Sequence, residues 1–173
     1  MTKSDDTTGL DFDKIAKDSL TYLENMIEFL RVWGEKIPEK PRKEIILRIA
    51  SDLEVPRNRL VKLLKRRQAQ INKHTTIEVS FTDMSFLELI TRGDFFRKSH
   101  WGEITARRVV SFEEGTQKAI DLGLLGLVYF THLPQQNPRS YLRWMGAFLP
   151  TFRTQVKTLL ECHNRDNRNI RSG

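Results

Sequence analysis

Between residues 12 and 33 the apolar side chains Phe12, Ile15, Tyr22, Leu23, Met26, Ile27, Leu30 and Trp33 return at helical spacing. A stripe of this kind commits the chain to an amphipathic helix whose greasy side must be covered by other elements. Asp11 or Asp13 can cap its start, Gly34 ends it, and Pro38 and Pro41 bracket the connector that follows. What comes next repeats the helical period. A second helix runs from Pro41 to Pro56, which forces Val55 out of the α region and stops it. A third covers 57–73, with Leu60, Leu63, Leu64 and Ile71 on its inner side.

Residues 74–80, HTTIEVS, are β-branched but have no evident partner, and an isolated strand is unstable, so they read as a loop. Ser80 or Thr82 caps the helix bearing Phe86, Leu87, Leu89 and Ile90, which ends at Arg92-Gly93-Asp94. From Trp101 a helix continues through Ile104, Val109, Val110 and Phe112, with Gly115 as its bend. Residues 119–133 are the most hydrophobic segment and the expected centre of the fold. A short helix over 139–146 and a last one over 148–163 follow, with Pro150 acceptable in a first turn.

The expectation is therefore all-α: a compact single-domain bundle of seven to eight helices around a central hydrophobic helix, with no convincing sheet. Residues 1–10 read as a disordered tail, 11–163 as the domain and 164–173 as a polar tail. A chain of 173 residues with 39% hydrophobic content can bury one such core. Lone Cys162 makes no internal disulfide, which suits a reducing compartment. The acidic start is unlike a secretory or mitochondrial targeting segment, and the most apolar run, 122–130, is too short to span a bilayer. A cytoplasmic protein, with peripheral attachment to mitochondria as a further option, is the expectation.

The chemistry of catalysis is not written here. The four histidines have no metal-like spacing, Cys162 and His163 are adjacent and point apart, and GLLG lies inside an apolar helix instead of cradling a phosphate. No catalytic residue, metal or cofactor is assigned, and the chain is not read as an enzyme. The net charge of +7 is concentrated: residues 40–73 hold eleven Lys and Arg against Glu44, Asp52 and Glu54. Such a block suits nucleic acid, an acidic lipid surface, an acidic peptide or plain solvent.

Three motifs remain. Leu47-Arg48-Ile49-Ala50-Ser51-Asp52 sets a leucine, a small residue and an aspartate along one helix. His100-Trp101-Gly102-Glu103-Ile104 places an indole at a helix start beside a glycine that permits close backbone approach. Trp144-Met145-Gly146 lies some forty residues beyond. In order and approximate spacing they resemble the Bcl-2 family of apoptosis regulators, in which a death-motif helix, Leu-x-x-x-small-Asp, precedes a Trp-Gly signature opening the central helix. The departures suggest a divergent member, such as a viral mimic. His100 and Glu103 flank Trp-Gly where the family has Asn and Arg, Glu54 replaces the last apolar place of the death motif, the paired glycines after the second Trp are absent, and a membrane tail is missing.

The resemblance implies a pro-survival protein that receives the amphipathic death-motif helix of a pro-apoptotic partner in a hydrophobic groove. Its walls would be Leu47, Ala50, Leu60, Leu63, Leu64, Phe86, Leu89 and Ile90, with Trp101, Gly102 and Ile104 at the base. Glu103 would repel the partner's aspartate, leaving Arg92, Arg97 or Lys98 on the rim to meet it. Self-association into a homodimer would hide the groove. The alternative is a basic helical nucleic-acid binder using Arg57, Arg59, Lys62, Lys65, Arg66 and Arg67. Nucleic acid is the less favoured partner, and no aromatic residue interleaves that block to favour a single strand.

Overall fold

The computed structural model describes residues 7–68, 76–133 and 140–171, with side chains described for 13–66, 85–133 and 148–165. The opening stripe forms α1 (Phe12–Glu35), continuous past Gly34. Its buried residues run from Asn25 and Phe29 on one flank through Tyr22, Ile15 and Met26 to Leu23, Ala16 and Ile27 on the other. At about 100° per residue they span roughly 200° of the helix circumference. No single neighbour covers so wide an arc, and α1 is packed by α2 (Lys40–Gln68), α4 (Asp94–Arg97), α5 (Trp101–Arg108) and α6 (Phe112–His132). The surrounded helix is thus α1, not residues 119–133. Those fall in α6, which buries Ala119, Ile120, Tyr129 and Phe130 but leaves Asp121, Leu124 and Val128 in solvent.

The remaining helices are α3 (Phe81–Thr91), seated on α6, and α7 (Ser140–Arg171), which lies along α6 and touches α2. Seven helices among the described residues make the all-α bundle that was expected. Tyr22 ties four of them together: its ring meets Phe95 and Phe96 of α4, Phe130 of α6 and Phe152 of α7 at centroid distances of 5.7, 5.0, 5.8 and 6.2 Å. Its hydroxyl donates to the Leu122 carbonyl at 2.8 Å, and burial pushes the phenol above its ordinary range.

Several boundaries differ from expectation. Pro56 lies inside α2 instead of closing a helix. A proline there removes one backbone hydrogen bond, but Leu53 and Leu60 on either side of it are fully buried, so side-chain packing holds the helix through the defect. Pro150 is likewise internal to α7, between buried Phe148, Leu149 and Phe152, so the two expected C-terminal helices are one. That helix also takes residues 164–171 out of the expected polar tail.

The long helix expected from Trp101 breaks at 109–111. Val109 and Ser111 are extended, the Ser111 hydroxyl accepts from the Glu114 N–H at 3.1 Å, and Glu114 Oε2 accepts from the Val110 N–H at 2.9 Å. This variant of the capping box, in which Glu114 reaches the residue before the cap, starts α6. Gly115 therefore does not bend anything; it lies under the Trp33 indole, where a Cβ would fall 2.1 Å from Nε1.

The loop reading of 74–80 is corrected too. Strand β2 (Thr76–Ser80) pairs antiparallel with β1 (Thr7–Asp11), Thr7 opposite Ser80 and Asp11 opposite Thr76. Residues 7–10, expected in the disordered tail, are the partner that the β-branched segment needed, while residues 1–6 lie outside the described residues.

A candidate helix-binding face around the Trp-Gly step

The turn between α4 and α5 is fastened to α1 by one side chain. Asn25 donates through Nδ2 to the carbonyls of Phe95 and Lys98 at 2.8 and 2.9 Å, and its Oδ1 accepts from the Gly102 N–H at 3.1 Å. The glycine is required sterically, since a Cβ at 102 would lie 1.8 Å from the Asn25 carbonyl oxygen. One turn along α1, Glu28 accepts from His100 at 3.0 Å, and His100 is the one non-glycine among the described residues with a positive φ, 61°. The other end of α5 is held from α1's C-terminal side. Lys36 Nζ donates to the carbonyls of Ala106, Arg107 and Val109 at 2.9, 3.0 and 3.1 Å, filling acceptors that a helix end leaves open.

Trp101 is half-buried, its outer surface under two cations: Lys98 Nζ lies 4.8 Å and the Arg108 guanidinium carbon 5.8 Å from the ring centroid. Ile104, one turn on, is 38% exposed, and Leu89 of α3 is 62% exposed. Phe86 and Ile90 are half-buried, the Phe86 ring tilted by 37° against that of His132 of α6 at a centroid distance of 4.4 Å, and His132 Nδ1 donates to the Val128 carbonyl at 2.9 Å. Arg92, Arg97 and Lys98 are exposed around this region, Arg97 donating to the Thr91 carbonyl at 2.9 Å and Lys98 pairing with Asp94 at 3.0 Å. Glu103 is paired with Arg107 at 2.6 Å, and that hydrogen bond holds its carboxyl below the ordinary range. Its charge is thus matched within α5, which weakens the repulsion expected of it.

The α2 residues of the expected groove are placed elsewhere. Ala50 and Leu60 are fully buried, Leu47 packs over Gly34, and Leu63 and Leu64 are half-buried against the core. Leu47 meets α1 at Gly34 and the others pack into the core, where α2 contacts α1 and α7, whereas α3 packs on α6 and α4, so the expected walls do not converge on one trough. Asp52 is exposed and has no ion-pair partner among the described residues. Two of the ion pairs across α1 and α2 are Arg31 with Glu54 and Glu24 with Arg57, whose Nε donates at 3.1 Å. With Glu28, Asn58 and His100 these groups line a charged cleft of ≈ 440 Å³, none of whose lining residues belongs to the expected groove. Trp144-Met145-Gly146 falls within α7, with its side chains outside the described residues.

Asn25 and Lys36 are the anchors the sequence reading missed. Asn25 is visible, with Ser19, as a polar residue inside an apolar stripe; nothing local marks Lys36. Among the described residues no helix is long and apolar enough to cross a membrane, and no group of three or more His, Cys, Asp or Glu could hold a metal ion. No family model matches the chain, and neither a curated protein nor a solved structure matches it.

Proposed function

We propose that this chain is a Bcl-2-like, pro-survival interaction module that captures the amphipathic death-motif helix of pro-apoptotic proteins. The observation that carries the reading is the exposed apolar surface of Ile104, one turn from half-buried Trp101 on α5, together with exposed Leu89 on α3, which packs on α4 next to α5. Isolated exposed apolar residues are common, but an exposed isoleucine one turn from an indole supplies the anchor-and-pocket chemistry that helix recognition uses. The basic rim of Arg92, Arg97 and Lys98 complements an acidic residue on the incoming helix. The binding face is therefore narrower than the sequence implied, built from α3 to α5 without α2. Sequestering such helices would keep them from permeabilising mitochondria.

Calorimetric titration with a panel of synthetic death-motif peptides tests the reading, with the oligomeric state measured in the same samples. One-to-one binding at micromolar Kd or tighter is expected. Absence of heat from every peptide at ~100 μM, with the protein folded and monomeric, overturns it.

A further inference from the structure

The second half of α2, from Pro56 to Gln68, contains six Lys and Arg and no carboxylate. Arg57 is taken by Glu24. Arg59, Lys62, Lys65 and Arg66 are exposed, and none has an ion-pair partner among the described residues. Their geometry is ordered. At about 100° per residue Val55, Arg59, Lys62 and Arg66 fall within roughly 60° of one another, and Lys65 flanks them. Leu53, Leu60 and Leu64, the residues that seat α2 on the core, centre on the opposite side of the helix. The cations thus project straight away from the body of the protein, and their stems are not needed to cover it. Val55, 54% exposed, stands in the same row.

We propose that this outer row of α2 is a docking surface for an anionic lipid bilayer. The row lies along one helix and presents four cations with one small apolar side chain. A plane of anionic headgroups satisfies such a row without any shape match. A nucleic-acid strand is a poorer fit, because the row offers no aromatic ring for a base to stack on. With no helix of the described residues long and apolar enough to cross a membrane, contact here is peripheral. The attachment leaves the Trp-Gly region on other elements, so it does not depend on the function proposed above.

Co-sedimentation of the full chain with phosphatidylcholine vesicles, with and without about one-third phosphatidylserine, reads the surface out directly. Binding to the anionic vesicles alone is expected, weakening steeply as salt rises from ~0.1 to ~1 M and the screening length falls from about 10 to about 3 Å. Replacing Arg59, Lys62 and Arg66 together by Gln should weaken it on the order of 100-fold, at about fivefold per charge, with the helical circular dichroism unchanged. Arg59→Lys with Arg66→Lys should retain binding, since a headgroup plane reads charge and not the guanidinium fork. Equal binding to neutral and anionic vesicles, no binding to either, or an unaffected triple variant would overturn the proposal. So would tighter binding to a DNA duplex than to the anionic vesicles at equal phosphate, which would assign the row to nucleic acid.

Discussion

Asn25 and Gly102 form the joint on which the Trp-Gly step turns: the amide oxygen of one accepts the backbone N–H of the other at 3.1 Å, and the helices meet so closely that 102 admits no side chain. Asn25→Ala would leave the Phe95 and Lys98 carbonyls and the Gly102 N–H without their partner. Unmade hydrogen bonds in a buried setting predict a loss of about 3 kcal/mol in denaturant unfolding. Gly102→Ala should cost at least as much, since the obstacle is backbone and cannot swing aside. If either variant unfolds at the wild-type denaturant midpoint, the joint does not bear the load assigned to it.

Lys36 offers a second, smaller test. Its ammonium closes the C-terminal end of α5 through Ala106, Arg107 and Val109. Replacement by Met keeps the stem and removes the donors, and should cost about 1–2 kcal/mol. Amide exchange localises the effect, with the last turn of α5 exchanging faster and α7 unchanged.

Asp18 makes stability depend on pH in an unusual direction. Burial raises its pKa, and the Lys14 ammonium at 3.3 Å only partly offsets this. A folded-state value above the unfolded one means that the folded chain holds its proton more tightly. The contribution is nil below the ordinary aspartate range, and stability falls as pH rises through the elevated folded value. Asp18→Asn should therefore unfold at a higher denaturant concentration than wild type at neutral pH, with the gain vanishing below about pH 4. A gain that persists unchanged in acid would mean another cause.

Local patterns carried the helices, and long-range partners decided where they stop. The stripe of α1 and the Trp101 helix start were both legible, because each is encoded within a few turns. Pro56 and Pro150 misled because a proline's local penalty is a few kcal/mol at most, and Leu53 with Leu60, or Phe148 with Phe152, bury enough apolar surface to outweigh it. The start of α6 was legible and overlooked, as Ser111-Phe112-Glu113-Glu114 spells a capping box. Strand β2 was not legible alone, since its partner Thr7–Asp11 lies at the other end of the first two helices. For the candidate site, sequence spacing puts Trp101 and Ile104 one turn apart on α5 but does not tell which face of α2 turns inward, so Ala50 and Leu60, expected as groove walls, are core.

That division supplies the sharpest test of the proposed binding face, because core and surface residues of the expected groove must now behave differently. Leu60→Ala opens a cavity at a fully buried position and should cost about 2–5 kcal/mol in stability, while leaving peptide affinity intact in the molecules that remain folded. Leu89→Glu alters a side chain that is 62% exposed and should shift stability by no more than about 0.5 kcal/mol, while Ile104→Glu, at a side chain 38% exposed, should cost about 1 kcal/mol. On the proposed face they add a negative charge and remove an apolar anchor, and either should weaken a death-motif peptide by at least tenfold, about 1.4 kcal/mol. Calorimetry alongside denaturant unfolding separates the two quantities. Affinity that tracks stability across all three variants would place the peptide elsewhere on the molecule.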